Sequence, residues 1–391
     1  MPPTLTPNAK ASLNAYATAH TQGDKPLLPG AIIHITNAQN TPIFSHASGS
    51  ASPTPQTLFT VHSLTKVIGA IAFFQLVEQS LISLDDATAI PKYLPELAAK
   101  QVLTGYSENA DGTKTFTFED RKGDITPRML MNHTYGGGHC FFNDLLNTYL
   151  TSPPFTTTDW QERNEATDFY TTLLDSPLLW QPGTRTNYGQ GFDWIAVLIE
   201  RVTGRSLVEV LEEGVFAKLG LRETGYEGQY GGSVADGEGD AAARFWPRSL
   251  KTEDGFVAID PPVLSRVVKD GVFPHGTYHM HPLGSGLVSC AADLSRILAL
   301  LLPQNAGVDP VTGTRILGAE AVRQITSPQL PEELRMNSRN VPTAVPVVLE
   351  GNLMGEFVDP EGSFGFGCGV QGADRLLASG QTGRSKGSVY W

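Results

Sequence analysis

Ser63-Leu64-Thr65-Lys66 is the only S-x-x-K in the chain, and it sets an amine three residues beyond a hydroxyl. Residues three apart on a helix share one face. If a helix opens at Ser63, its free N–H groups and positive dipole end favour negative charge developing at Ser63 Oγ and on an attacked carbonyl. Lys66, one turn deeper, is placed to take the serine proton, which is the chemistry of an activated nucleophile. Alone, the same four residues also describe an N-cap serine beside an unrelated lysine. The flanks favour chemistry: extended Phe59-Thr60-Val61 leads in, and a long apolar helix through Leu76 follows.

A serine nucleophile needs a partner to carry its proton away and back. Gln181-Pro182-Gly183-Thr184-Arg185-Thr186-Asn187-Tyr188-Gly189-Gln190 is a Pro-Gly turn leading to a tyrosine on a small-residue loop. Tyr188 can serve as a phenolic acid/base, or its hydroxyl can simply cap the loop.

These residues need elements to hold them. Lys10 to Thr21 reads as a helix. Pro29 to Ile35 and Thr41 to Ala47 alternate across Asn37-Ala38-Gln39-Asn40 and predict a β-hairpin. Asp124-Ile125-Thr126-Pro127 predicts a helix start with proline at an early position. Phe192 to Val202 carries apolar residues at three and four spacing and ends at Gly204, and Ala291 to Leu302 predicts a further helix ending at Pro303. Gly225 to Gly239 reads as a long loop. Phe364 to Val370 predicts a strand, Gln371 to Asp374 a turn, and Gly387 to Trp391 another strand. Strands, a long helical middle and strands again predict an α/β (α+β) fold whose antiparallel sheet is built from both chain ends, flanked by helices, with a helical lobe inserted. The expected sheet lobe covers 1–84 plus 345–391, and the helical lobe 85–344. The substrate pocket is expected where these lobes meet.

Composition narrows the function. The 391 residues carry 28 Lys and Arg against 40 Asp and Glu, a formal charge of −12 that argues against a nucleic-acid partner. Cys140, Cys290 and Cys368 are scattered, which fits a reducing compartment and not a disulfide framework. The N-terminal residues lack a basic stretch followed by an apolar run, and no apolar run reaches the ~20 residues that span a bilayer. A soluble cytoplasmic protein without a membrane partner is the expectation.

Four ordered blocks carry a resemblance. Ser63-Leu64-Thr65-Lys66, Ile125 to Thr134, Pro182-Gly183 to Tyr188, and Gly284-Ser285-Gly286-Leu287-Val288-Ser289-Cys290-Ala291-Ala292-Asp293-Leu294 resemble the serine β-lactamase and penicillin-binding-protein superfamily. Within it, the chain is similar to class C-like esterases of carboxylesterase family VIII and to fungal statin transesterases. The resemblance implies a β-lactamase/transpeptidase-like fold with Ser63 as the acylated nucleophile and Lys66 and Tyr188 sharing the acid–base work. The oxyanion donors would be the Ser63 N–H and an N–H of the last active-site strand. Ile125 to Thr134 would be a structural helix, with His133 in a core or hydrogen-bonding role. Gln190, His281, Gly284, Ser285 and Trp391 are expected to line the cleft or bind substrate.

Two departures shape the expected activity. Tyr188-Gly189-Gln190 stands where β-lactamases carry Tyr-x-Asn, and the longer Gln190 arm shifts the expectation from β-lactams toward esters. Gly387 to Trp391 approaches the place of the family's third element and stops, so the C-terminal strands read as truncated and the activity as weak. Gly380-Gln381-Thr382-Gly383, which resembles Lys-Thr-Gly, is expected in the turn before that strand.

Other motifs lack their parts. Gly383-Arg384-Ser385-Lys386-Gly387 matches G-x-S-x-G, but no Asp, Glu or His follows it, so it reads as a hairpin turn. His279-Met280-His281 has no carboxylate cluster close by in sequence and reads as a loop at the cleft mouth in preference to a metal site. The combined expectation is a serine hydrolase or acyltransferase. It would form an acyl-enzyme on Ser63 from a small-molecule ester or thioester and pass the acyl group to water or an alcohol. This chemistry requires no cofactor or metal, and an acyl-carrier protein could deliver the donor. The rivals are β-lactamase or D-amino-acid peptidase activity, and a non-catalytic relative that keeps only the pocket.

Overall fold

A computed structural model describes residues 4–49, 53–155, 173–226, 244–246, 248–259, 281–334, 361–376 and 382–390. The chain forms two compact units, one from Met1–His62, Val208–Val267 and Ser285–Arg323, the other from Ser63–Leu207, Val268–Gly284 and Gln324–Trp391. These units group residues by contact. The sheet and helical lobes expected at 84/85 and 344/345 are a partition of another kind, and the second of those boundaries lies outside the described residues.

The first unit holds the N-terminal helix Pro7–Thr21, with Thr6 as its N-cap, and the hairpin of strands Gly30–Thr36 and Pro42–Gly49. Asn37 Oδ1 accepts from the N–H groups of Gln39 and Thr41, so the turn forms as its asparagines predict. Strand Phe59–Thr60 pairs antiparallel with Val288–Ser289. Helix Ala291–Ala299 is shorter than the sequence suggests, because single-turn bonds from Leu300 to Leu302 tighten its end before Pro303. Arg248–Thr252 and Gly255–Ile259 form a hairpin that the sequence reading missed.

The second unit is organised around helix Thr65–Glu78, buried without interruption from Thr65 to Leu76. Apolar residues circle this helix, and such a helix is stable only when surrounded by protein. Lys66 is the one charged residue in that buried run, and it is 2% exposed. The helix has a short prelude, since His62–Leu64 is a single 3-10 turn and the α-helix proper begins at Thr65. His62 has φ +45°, the left-handed backbone that turns the strand sharply into this helix.

Helix Pro127–Met131 starts as expected, with proline in its first turn and Thr126 accepting the Met129 N–H. Helix Gly191–Thr203 ends on left-handed Gly204, whose N–H bonds to Glu200 O. A side chain at Gly191 would strike the Leu130 carbonyl, so glycine lets the two helices meet backbone to backbone. Strands Val102–Glu108 and Lys114–Glu119 form a hairpin also missed in the sequence.

The C-terminal strands correct two expectations. Phe364 to Val370 is two short strands, Ser363–Phe364 and Gly369–Val370, paired antiparallel around a tight turn. Glycines at 365, 367 and 369 permit the reversal, and Gly367 holds φ +76° with no room for a side chain beside the Lys66 carbonyl. Val389–Tyr390 adds to the same ladder. Thr382 and Gly383 lie in a strand, Thr382–Arg384, paired with Arg375–Leu376, and not in a turn. Lys386 and Gly387 do form a turn. The sheet expected from both chain ends is represented among the described residues by separate antiparallel ladders. Most of Gly225 to Gly239 lies outside the described residues.

Candidate active site

Ser63 sits in the 3-10 turn at the head of the buried helix, with its side chain partly accessible. Its Oγ lies 2.6 Å from the Tyr188 hydroxyl, a residue 125 positions away. Lys66 Nζ donates to the same Oγ at 3.1 Å and to the Gly284 carbonyl at 2.6 Å. The ammonium group also stands 4.8 Å from the centre of the Tyr188 ring, where a cation is attracted by the π face. Serine, lysine and tyrosine therefore touch.

Each contact has a backbone cause. The loop carrying Tyr188 is held to the segment 133–137 by a run of hydrogen bonds. Gly183 N–H donates to Thr134 O at 2.8 Å, Asn187 N–H to His133 O at 2.9 Å, and Asn187 Nδ2 to Gly137 O at 3.1 Å. A β-carbon at Gly189 would lie 2.7 Å from Gly138 Cα, so the two loops pass closer than side chains allow. Pro182-Gly183 turns as predicted, with Gly183 at φ +76°.

The lysine is held from the other side. A β-carbon at Gly69, one turn along the helix from Lys66, would lie 2.6 Å from the Leu283 side chain. The absence of a side chain at Gly69 lets Leu283 pack against the helix and brings the neighbouring Gly284 carbonyl to Lys66. The Gly284 N–H in turn donates to Asp193 Oδ1 at 2.7 Å. Asp193 is 3% exposed. Burial pushes its carboxyl above the ordinary value, while the Lys66 charge and the N–H groups of Gly284 and Leu283 pull the other way. The backbone of Gly284 thus lies between a buried carboxyl, on its N–H, and a buried amine, on its carbonyl.

Aromatic and histidine rings enclose Tyr188. His133 lies 4.7 Å away by ring centres, His139 5.6 Å and Phe142 6.1 Å, and Phe364 stacks at 6.3 Å. Burial and the Lys66 charge push His139 down to about 3 and His133 well below its ordinary value, so both imidazoles are neutral around pH 7.

Of the residues singled out in the sequence, Ser63, Lys66, Tyr188 and Gly284 come together. Gln190 is buried, and its carbonyl accepts from the N–H groups of Asp193 and Trp194 where the following helix starts. His281 and Ser285 are half-buried on the segment that leads into and out of Gly284. Trp391 lies outside the described residues, as do His279 and Met280. The sequence reading missed Asp193 as a site residue. Its signal was an aspartate in a helix otherwise apolar from Phe192 to Ile199. Among the described residues, no group of three or more His, Cys, Asp and Glu side chains could hold a metal ion, and no helix is long and apolar enough to cross a membrane.

The chain is similar to known proteins at three levels. The family model described as beta-lactamase matches residues 17–356. Lovastatin esterase of Penicillium rubens is 33% identical over 204 residues, covering 50% of this chain and 48% of its own length. Monacolin J acid methylbutanoyltransferase of Aspergillus terreus is 30% identical over 163 residues, covering 41% of this chain and 36% of its own. The match thus spans about half or less of these relatives' length. Among solved structures, unliganded simvastatin synthase from Aspergillus terreus superposes with a TM-score of 0.71 at 23% identity, covering 97% of this chain and 86% of its own. EstCE1, described as a hydrolase with promiscuous acyltransferase activity, gives 0.61 at 20%, covering 97% and 85%. These likenesses show the β-lactamase/transpeptidase-like fold expected from the sequence.

Proposed function

The chain belongs to the beta-lactamase family, and on that footing we propose that it is a serine acyl-transfer enzyme. The observation that carries the reading is the double contact at Ser63 Oγ, with Tyr188 on one side and Lys66 on the other. Either hydroxyl can donate in the Ser63–Tyr188 bond, so a proton can pass between the two oxygens. The reactive pair carries one proton fewer than an ammonium beside a phenol, so as Ser63 Oγ attacks the carbonyl carbon of an ester or thioester its proton passes to the Lys66–Tyr188 pair. The pair returns a proton to the leaving oxygen or sulfur as that bond breaks, leaving an acyl-enzyme. Water or an alcohol then gives its proton to the pair, bonds to the acyl carbon and releases Ser63, which recovers its own proton. The Ser63 N–H at the helix head is one donor to the tetrahedral oxyanion.

The substrate is a small-molecule acyl ester or thioester. The names of the relatives, an esterase and an acyltransferase, support this class. Gln190 in place of the β-lactamase asparagine supports esters over β-lactams. An acyl-carrier protein as donor and a cytoplasmic location belong to the same proposal.

Intact-protein mass measured after incubation with p-nitrophenyl esters of graded chain length tests it. The expected result is a single acyl adduct on the wild type, absent in Ser63→Ala. No adduct in a folded sample would sink the proposal, and nitrocefin turnover exceeding ester turnover would move it to β-lactam chemistry.

A further inference from the structure

His133 grips the tyrosine loop on both sides of Tyr188. Its carbonyl accepts the Asn187 N–H at 2.9 Å, and its Nδ1 accepts the Gly189 N–H at 3.4 Å. Between these two bonds lies Tyr188, whose ring packs on the imidazole at 4.7 Å. The imidazole is also packed by Phe364 at 5.0 Å, edge to face, and by Phe192 at 6.1 Å. His133 is 2% exposed and holds φ +62°, a left-handed backbone that non-glycine residues adopt only when their surroundings demand it. Helix Pro127–Met131 ends just before it, so the reversal at 133 aims both the carbonyl and the ring at the same loop.

We propose that His133 is a positioning residue for the acyl-transfer reaction, holding the Tyr188 hydroxyl on Ser63 by accepting hydrogen bonds from the residues before and after the tyrosine. The Gly189 N–H can only donate, so Nδ1 presents its lone pair to it. The proton of the neutral ring then sits on Nε2. Burial and the nearby Lys66 charge keep a second proton off. The core or hydrogen-bonding role expected of His133 thus becomes a specific one, the hold on the tyrosine loop, without contact to the reacting atoms. A displacement of the phenol by about 1 Å costs roughly a hundredfold in rate, so a two-point grip on its loop has a measurable consequence.

This inference rests on the acyl-transfer reading but can be tested apart from it. Two variants accept the left-handed backbone and both lose the ring. His133→Asn keeps an acceptor close to the Nδ1 position, whereas His133→Gly keeps none. The expected result is a kcat for ester turnover lowered about thirty- to hundredfold in His133→Gly with KM within about threefold, and recovery to within about fivefold of wild type in His133→Asn. Crystal structures of both variants should show the Tyr188 hydroxyl out of hydrogen-bond range of Ser63 Oγ in the glycine variant and within it in the asparagine variant. Nitrogen-15 NMR of the wild type at neutral pH should show Nε2 carrying the proton, a measurement that requires no variant to fold. Tyr188 unmoved in His133→Gly, a wild-type kcat in that variant, or a proton on Nδ1 overturns the inference. If the wild type acylates no ester, the acyl-transfer reading fails, and the Tyr188 position in the glycine variant still decides this one.

Discussion

Asp193 Oδ1 accepts the Gly284 N–H at 2.7 Å inside the second unit, while the Gly284 carbonyl takes the Lys66 amine at 2.6 Å. A buried carboxyl thereby holds the residue whose carbonyl holds the lysine. The glycine is obligatory, since a β-carbon there would lie 2.9 Å from both carboxylate oxygens.

Gly284→Ala should therefore push Asp193 or the 281–284 segment aside. The expected cost is about 1–3 kcal/mol of stability, the usual range for overpacking, together with slower acylation. Asp193→Ala should cost about 1–3 kcal/mol by leaving the Gly284 N–H without its acceptor. Chemical denaturation and single-turnover acylation of the same samples check both. Wild-type behaviour in either variant would remove the role given to Gly284.

Tyr188→Phe keeps the ring and deletes only the hydroxyl that meets Ser63. The rate should drop about 10²–10⁴-fold, the contribution of a general acid–base group, with an unchanged melting temperature. Lys66→Met should also abolish turnover, and it should destabilise as well because the Gly284 carbonyl loses its donor. A Tyr188→Phe enzyme within threefold of wild type would show the phenol to be a bystander.

Gly69→Ala places a methyl 2.6 Å from Leu283. The expected loss is about 1–3 kcal/mol, and activity should fall with it, because Leu283 carries Gly284 toward Lys66. Trimming the partner should relieve the clash, so Gly69→Ala/Leu283→Ala should lose less than the two single losses combined. A double-mutant cycle with strictly additive losses would show that the two positions are not coupled.

Acid should weaken the fold through its buried histidines. His281 is pushed down to about 4 and His139 to about 3 by burial, against an ordinary value of 6.5. Between those values the unfolded chain binds protons that the folded chain refuses, so stability is fully present above pH 6.5 and declines as pH falls toward 4. Melting temperatures measured from pH 7 to 4 should fall, and His281→Gln should lessen the decline. An identical pH profile in wild type and variant would exclude His281 from it.

Much of the local structure was legible in the chain. The apolar run after Ser63 could only be a buried helix, Gly204 closed its helix as expected, and the asparagine-flanked turn made its hairpin. Failures came where glycine or polar alternation hid the signal. Phe364 to Val370 looked like one strand because its apolar residues are continuous, yet three glycines fold it back on itself. The hairpin of Val102–Glu108 and Lys114–Glu119 went unread because much of it faces solvent and it lacks a clear apolar side.

The sequence alone determined which residues could react and their distance along the chain: a hydroxyl, an amine one turn on, and a phenol on a Pro-Gly loop. Only the tertiary structure decided that the phenol reaches the hydroxyl, that Gly284 joins Asp193 to Lys66, and that His133 holds the tyrosine loop. Helical periodicity is a property of neighbouring residues and is written in their order. Contacts between residues 56 to 218 positions apart depend on close approaches to the backbone at Gly69, Gly189 and Gly284. A single sequence records those glycines without recording what they stand against.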